Sequence, residues 1–460
     1  METYSNDSPA TYAPKTKYFR WTNNMRIPRP TLYHLILLLI SLNIACTSPT
    51  KDITVFAPSD GPQLEFALTE LETVLKTKGI TVKRSEHSDA TILFHLKKDK
   101  RLKSEGFEIT KTEGKISVSA LDVEGLMYGG LELAEQIKIG GIKGVENTLQ
   151  NPYMEKRGSK FNIPLDVRTP SYTDASATAQ HNLPVMWEMD FWEAYIDNLA
   201  RHRYNYISLW NLHPFPSMVK VPGFEDIALD DVHKSTIDWK ENYHLHATDI
   251  TSPEILENYK VVKKITIEEK IGFWKKVMRY AKDRNIDFYV ITWNIFTNGT
   301  NGKYGITDRF DNEVTKEYFR KSIKQLFVSY PDLQGIGLTT GENMHNMNFD
   351  QKEQWAYDTY AQAILETAEE MPERNFTFIH RQHQTGAKAI AEKFKPVIDA
   401  PNIEFIYSFK YAKAHVLSTT EQHYHQGFVE ANHPPKKRWI VYESLGFIDV
   451  PGGSKIGKLF

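Results

Sequence analysis

The sequence predicts an α/β fold in which a small α+β domain precedes a TIM-type (β/α)8 barrel that lacks its last strand. Three observations lead to this prediction. From residue 155 onward, strand-like runs alternate with amphipathic helices, which indicates parallel strands joined by helical crossovers. Seven such units fit into the remaining chain, a density that favours a barrel over an open sheet. No glycine-rich dinucleotide motif follows the first of these strands, which weakens a Rossmann interpretation.

The composition is that of a globular protein and narrows the classes of function. Of 460 residues, 41% are hydrophobic and 25% are charged, a length that suits two or three domains. Lys and Arg (56) nearly balance Asp and Glu (58), so the charge argues against a nucleic-acid partner. Aromatic residues make up 12%, which suits sugar binding but also large cores. The single cysteine excludes intrachain disulfides and a thiolate metal cluster.

Residues 1–50 form a leader that we exclude from the predicted fold. Within it, residues 25–46 combine two arginines, a short apolar stretch and a small residue before Cys46, which is the pattern of a secretory signal. This segment resembles a bacterial lipoprotein signal. The resemblance implies a lipid anchor at Cys46 and an exported protein, held at the cell envelope or released to the periplasm or the exterior. An uncleaved anchor or a plain secretory signal remains open. Residues 1–24 precede a better start at Met25 and suggest an over-called start codon.

Residues 51–150 are predicted to form the small α+β domain. The predicted elements are strands at 53–58 and 91–96, a hairpin at 106–121, and helices around Leu64–Leu75 and 123–137. The run from "GFEI" to "GLMYGGLELAEQI" resembles the accessory domain that precedes the barrel in bacterial β-hexosaminidases and α-glucuronidases. The resemblance implies a small domain docked on a catalytic barrel.

Residues 151–460 are predicted to form the barrel. The predicted strands are Phe161–Val167, Tyr204–Leu209, Ile286–Thr292, Leu333–Thr339, Phe376–His380, Ile403–Ser408 and Arg438–Tyr442. Amphipathic helices are predicted at 187–202 and 267–283. After Glu443 about 17 residues remain, too few for another helix and strand. We therefore expect either one misassigned strand or a truncated or frameshifted reading frame.

Polar and aromatic side chains follow every predicted barrel strand. Because the carboxyl ends of the strands meet at one face of a barrel, these residues are the candidate site. In strand order the candidates are Arg168, then Trp210 and His213, then Trp293 and Asn294, then Glu342 and Asn343, then Arg381, then Tyr407 and Lys410, and finally Glu443.

Two of these candidates are carboxylates on opposite sides of the predicted barrel. Hydrolysis of a glycosidic bond needs two carboxyl groups, one to protonate the leaving oxygen and one to attack or to activate water. We assign Glu342 as general acid/base and Glu443 as nucleophile, or as base in an inverting enzyme. The structural alternatives are a residue beside a helix N-cap for Glu342 and an ion pair for Glu443. No metal site or other cofactor is expected, because the His-x-His pairs lack further ligands at metal spacing.

The other candidates are assigned to substrate binding, each with an alternative. Arg168 suits a carboxylate or sulfate on the sugar, or a structural pair with Asp166 or Glu155. Trp210 and Trp293 suit stacking on sugar faces, or core packing. The two basic candidates Arg381 and Lys410 add positive charge at the barrel mouth, or are solvated surface groups.

Across residues 155–443 the chain resembles glycoside hydrolases of the β-hexosaminidase and α-glucuronidase group, on the blocks "KRGSKFNIPLDVRTPSY" and "GLTTGENM". In β-hexosaminidases an aspartate precedes the catalytic glutamate and orients the acetamido group of the substrate, whereas Gly341 precedes Glu342 here. The resemblance therefore implies cleavage of polysaccharide-derived oligosaccharides that contain neutral or uronic sugars. The alternatives are a non-catalytic glycan-binding lipoprotein, an inactive truncated hydrolase, and a deacetylase, which would need metal ligands.

Overall fold

The computed structural model describes residues 51–57, 61–162, 164–171, 177–237, 257–341, 344–383 and 385–408. The leader with Cys46 lies outside the described residues, as do Glu342, Asn343, Lys410, Glu443 and the predicted seventh strand. Among the helices that are described, none has both the length and the apolar character needed to cross a membrane.

The first part of the chain folds into a mixed six-stranded sheet. Its strands are β1 (Lys51–Phe56), β2 (Ile80–Arg84), β3 (Ile92–Leu96), β4 (Phe107–Thr112), β5 (Lys115–Ala120) and β6 (Thr148–Gln150), in the spatial order β2-β1-β3-β5-β4-β6. Helices α1 (Pro62–Thr77) and α2 (Val123–Gly140) pack together against this sheet. The carboxylate of Asp122 caps α2 by accepting a hydrogen bond from the amide of Gly125 at 2.8 Å. The predicted strands, hairpin and helices of this region are confirmed, whereas the short edge strands β2 and β6 were not predicted.

The described residues of the remaining chain form eight further strands: β7 (Gly158–Phe161), β8 (Tyr206–Asn211), β9 (Val232–Ser235), β10 (Tyr259–Lys263), β11 (Asp287–Trp293), β12 (Leu333–Thr339), β13 (Phe376–Arg381) and β14 (Ile403–Ser408). Six of them form one parallel sheet whose spatial order, β7-β8-β11-β12-β13-β14, follows the chain. Strands β9 and β10 form a separate antiparallel pair. A parallel sheet wound in one direction without a reversal is typical of barrels, whereas doubly wound sheets reverse at a switch point.

The helices that connect these strands are α3 (Ala177–Asn182), α4 (Met189–Arg201), α5 (Phe215–Met218), α6 (Ile267–Lys282), α7 (Glu313–Ser329), α8 (Phe349–Ala356), α9 (Gln362–Glu370), α10 (Ala387–Lys393) and α11 (Lys395–Asp399), with a π-helical turn at Tyr357–Ala361 between α8 and α9. Large aromatic side chains fill the layer between strands and helices, among them Trp192, Trp274 and Phe288. Much of the aromatic content is therefore core. The predicted fold class, an α/β barrel of the TIM type preceded by a small α+β domain, is confirmed in the described part of the chain.

The predicted strand bounds were right for β12 and β14 and wrong for the first barrel strand. That strand ends at Phe161 and does not extend over 161–167. The reason is a tight turn, in which the amide of Thr169 donates to the carbonyl of Asp166 and the Asp166 carboxylate accepts from the Arg168 amide. The Asp166 side chain thus accepts a backbone hydrogen bond that would otherwise go to a neighbouring strand.

The first domain docks on the amino-terminal ends of the barrel strands. The carboxylate of Glu105 accepts hydrogen bonds from Arg157 Nη2 at 2.6 Å, from Asn205 Nδ2 at 3.0 Å and from Asn285 Nδ2 at 2.8 Å. These three donors precede β7, β8 and β11 directly or by one residue. The contacts therefore lie at the end of the sheet opposite to the carboxyl ends of its strands.

Candidate active site at the carboxyl ends of the barrel strands

An aromatic pair lies near the carboxyl ends of β8 and β11, on the sheet face away from the helices. The rings of Trp210 and Trp293 meet edge to face with centroids 5.1 Å apart, and each residue is 4% exposed. The Nζ atom of Lys160, on β7, lies 3.8 Å from the Trp210 ring centroid and 5.6 Å from that of Trp293. This is cation–π geometry. The structure thus brings two predicted tryptophans together and adds Lys160, which was not predicted.

Isoleucine side chains pack on the inner face of the sheet beside Trp210 and one inward-facing residue below Trp293. Gly337 of β12 lies between Ile291 and Ile379, and a Cβ at this position would be 2.7 Å from Ile291 Cδ1 and 2.9 Å from Ile379 Cβ. Only glycine lets the two isoleucine side chains approach each other across β12. This layer lies level with Trp210, whose register partner is Ile291, and below Trp293.

The residues that directly precede Glu342 are held by helix α8. The hydroxyl of Thr340 donates to Glu353 Oε1 at 3.3 Å, and Lys352 Nζ donates to the carbonyl of Gly341 at 3.3 Å. Gly341 has φ of 93°, a conformation that favours glycine. The chain therefore leaves β12 through a turn that two buried side chains of α8 hold in place.

Glu353 is itself held by a buried hydrogen bond. His380 Nε2 donates to Glu353 Oε2 at 2.7 Å, and both side chains are fully buried. Burial raises the pKa of Glu353, but the positive charge and hydrogen bond of His380 outweigh it, so the pKa is lowered. The imidazole packs edge to face on Phe394 at 4.8 Å. His380 therefore faces the helix layer. The sequence had no local signal for Glu353, because its partners come from β12 and β13.

Arg168 forms the structural pair that the sequence left open. Its Nε donates to Asp166 Oδ1 at 2.8 Å and its Nη2 to Oδ2 at 2.9 Å, and Asp166 is fully buried. Burial raises the pKa of Asp166, but the hydrogen bonds from Arg168 and His233 and the Arg168 charge bring the net value down to about 2. Arg168 Nη2 also donates to the carbonyl of Asp230 at 2.8 Å, which ties the β7 turn to the segment before β9.

His213 and Asn294 are fully buried and bonded to the protein. His213 Nδ1 donates to the carbonyl of Asn298 at 2.6 Å, and burial lowers the pKa of His213 to about 4. Asn294 Nδ2 donates to the carbonyl of Thr339 at 2.9 Å, which joins the ends of β11 and β12. His213 thus holds the loop after β11, and Asn294 holds the end of β12.

Arg381 and Tyr407 leave their strands on opposite faces of the sheet. Arg381 is 6% exposed and lies two residues after Ile379, which places it on the inner face with the tryptophan pair. Tyr407 packs edge to face on Phe405 at 4.7 Å toward the helix layer, where burial raises the pKa of its phenol. Among the described candidates, Trp210, Trp293 and Arg381 therefore share the inner face.

The fold is shared with glycoside hydrolases. A GH138 enzyme targeting pectin rhamnogalacturonan II superimposes with a TM-score of 0.62 at 21% identity, over 80% of this chain and 49% of that enzyme. A mutant Streptomyces plicatus beta-hexosaminidase in complex with its product GlcNAc superimposes with a TM-score of 0.55 at 11% identity, over 85% of this chain and 70% of that enzyme. The GH20 beta-N-acetylhexosaminidase from Streptomyces coelicolor gives 0.54 at 11% identity, over 86% and 71%.

These neighbours are TIM-barrel glycoside hydrolases. The resemblance to β-hexosaminidase-type enzymes that the sequence indicated is confirmed at the level of the fold. The chain spans about half the length of the GH138 enzyme. No family model matches the sequence, and no curated protein matches it.

Proposed function

We propose that the protein is a glycoside hydrolase that cleaves oligosaccharides derived from polysaccharides. The observation that carries the proposal is the inner-face group of Trp210, Trp293 and Lys160, at the strand ends where barrel enzymes act. Trp210 and Trp293 are 4% exposed and line the base of this group, while the Lys160 ammonium supplies a charged donor that suits the hydroxyl rim of a sugar ring. The docking of the first domain on the amino-terminal strand ends is consistent with an accessible site.

Glu342 and Glu443 are the proposed catalytic carboxylates. Glu342 is the general acid/base, and the support for it is its sequence position directly after the held turn Thr340–Gly341. Glu443 is the nucleophile of a retaining enzyme or the base of an inverting one, on sequence grounds alone. The separation of the two carboxyl groups distinguishes these mechanisms: roughly 5–5.5 Å for retention and roughly 6.5–9.5 Å for inversion.

The proposed substrate class includes uronic acids. A solved enzyme with this fold targets pectin rhamnogalacturonan II, and the cationic Nζ of Lys160 beside the Trp210 ring suits a carboxylated sugar. Arg168 is a weaker candidate for that role, since its Nε and Nη2 atoms are engaged by Asp166. In the proposal, Asn343, Arg381 and Lys410 contribute further polar contacts around the sugar.

The proposed location is the cell envelope, through a lipid on Cys46. A Cys46→Ala variant should lose incorporation of labelled fatty acid and leave the membrane fraction. Labelling that persists in Cys46→Ala would exclude this anchor.

Sugar release tests the proposed activity. Purified chain 47–460 is incubated with aryl glycosides, including uronosides, and with plant and algal oligosaccharides, beside Glu342→Gln and the control Glu373→Gln. Glu373 is exposed and precedes β13 at the opposite end of the sheet. We expect Glu342→Gln to lower release by several orders of magnitude and Glu373→Gln to leave it unchanged. Cooperative melting with ligand binding but no release would favour the glycan-binding alternative, and equal loss in both variants would refute the role of Glu342.

A further inference from the structure

Two loops that follow the carboxyl ends of β8 and β11 meet in an exposed cleft of about 450 Å³, lined by Asp226, Lys303 and Tyr304. The ring of Tyr304 contacts Phe224 edge to face with centroids 5.1 Å apart, and Lys303 Nζ donates to the backbone carbonyl of Asp226. These contacts join the β8 loop to the β11 loop. The cleft lies outside the candidate active site described above.

The backbone of Tyr304 is left-handed, with φ of 59° and ψ of 8°. Its neighbours with positive φ are Asn301, Gly302 and Gly305, residue types that tolerate this conformation. A tyrosine does not, so this position costs conformational energy. The ring is 45% exposed, so its burial offsets only part of this conformational energy. Such outliers concentrate at binding sites, where the strain holds a side chain in the position that a ligand requires.

The chemistry of the three lining residues suits a sugar. An exposed aromatic face packs against the C–H face of a pyranose. A carboxylate accepts hydrogen bonds from adjacent hydroxyl groups, and an ammonium group donates to them. The edge contact with Phe224 fixes the orientation of the Tyr304 ring, and the Lys303 bond fixes the lysine beside it. Preorganised groups bind with a smaller loss of side-chain entropy.

We propose that Asp226, Lys303 and Tyr304 form an outer subsite that binds a pyranose residue of an oligosaccharide. Both loops leave the face of the barrel on which such enzymes act, so a chain bound across the active site has its distal residues on this face. The subsite rests on the proposed function for the identity of the oligosaccharide. It binds sugar through its own residues, so binding is measurable without turnover.

A Tyr304→Asn variant separates binding from folding. Asparagine tolerates left-handed backbone, so this variant keeps or raises Tm while it removes the aromatic face. The matched control is Tyr153→Asn, since Tyr153 is 60% exposed and precedes β7 at the opposite end of the sheet. Binding is measured by retardation in native gels cast with soluble rhamnogalacturonan, alginate, xylan or β-glucan. We expect retardation of the parent and of Tyr153→Asn, and about tenfold weaker binding for Tyr304→Asn.

Equal retardation of Tyr304→Asn and the parent would overturn the subsite, as would a parent that none of the four polysaccharides retards. If the protein is also a hydrolase, Tyr304→Asn should lower kcat/KM for a hexasaccharide about tenfold more than for an aryl monoglycoside. Binding lost in Tyr304→Asn, together with no sugar release by the parent, would keep the subsite and reject the proposed hydrolase. Sugar release by the parent, with Tyr304→Asn lowering kcat/KM equally for the hexasaccharide and the aryl monoglycoside, would keep the proposed hydrolase and reject the subsite.

Discussion

Removal of the carboxylate of Glu353 should destabilise the barrel and loosen the end of β12. This carboxylate accepts from His380 at 2.7 Å and from the Thr340 hydroxyl at 3.3 Å, and the His380 and Glu353 side chains are fully buried. In Glu353→Ala neither donor has its acceptor and water does not replace it. Leaving these two buried donors without an acceptor costs about 3–5 kcal/mol of unfolding free energy. Glu353→Gln keeps one acceptor oxygen and loses the charge, so we expect it to lower the unfolding free energy by about 2–3 kcal/mol.

The pairing itself is measured by a double-mutant cycle. Replacing both partners, as in Glu353→Leu with His380→Phe, leaves neither partner buried without the other, so the double variant should be more stable than the sum of the single losses predicts. We expect a coupling of about 2 kcal/mol between Glu353 and His380. The lowered pKa of Glu353 also determines how its contribution to the unfolding free energy depends on pH. This contribution is present above the pKa of about 4.3 that glutamate has in the unfolded state, and it is lost as pH falls through the lower pKa of the folded state.

Urea unfolding followed by tryptophan fluorescence provides the assay. Every tryptophan after Cys46 lies between Trp187 and Trp439, so the signal reports on the barrel and not on the first domain. An unchanged m-value with a lower midpoint would show a change in stability alone. A loss under about 1 kcal/mol in Glu353→Ala, or a cycle additive within about 0.5 kcal/mol, would refute the reasoning.

Three further predictions concern other parts of the molecule. Glu105→Ala should lower the unfolding free energy by about 2–4 kcal/mol, because Arg157 loses its carboxylate partner in the partly buried interface between the first domain and the barrel. Calorimetry should then resolve two unfolding transitions in place of one. A single unchanged transition would contradict this prediction. Gly337→Ala should cost about 1–3 kcal/mol in urea unfolding because the new methyl group meets backbone. The control Gly272→Ala, in a helix with open space around it, should gain about 0.5–1 kcal/mol. Asp166, with a folded pKa of about 2, should contribute about 2 kcal/mol above pH 4 that is lost toward pH 2. Asp166→Asn should lack this dependence in acid titrations of stability.

The local pattern of the chain was sufficient for the fold class and for most elements. Leu333–Thr339 and Ile403–Ser408 were predicted with the bounds that the structure has, because an apolar run of strand length bounded by polar residues carries its own signal. The resemblance to β-hexosaminidase-type enzymes likewise followed from short blocks of sequence. The first barrel strand was misplaced because the Asp166 turn depends on side-chain hydrogen bonds that hydrophobic periodicity does not register.

The roles of individual strand-end side chains were decided by the tertiary structure. Sequence position identified the strand ends but not the partners: His213 bonds to Asn298, Glu353 bonds to His380, and Lys160 lies over Trp210. Each pair is separated by tens of residues, so its geometry depends on how the strands and helices pack. The sequence by itself determined the parallel barrel, since periodicity is local. Only the tertiary structure decided which polar groups face the mouth and which hold the scaffold, because burial and hydrogen bonding depend on neighbours distant in the chain.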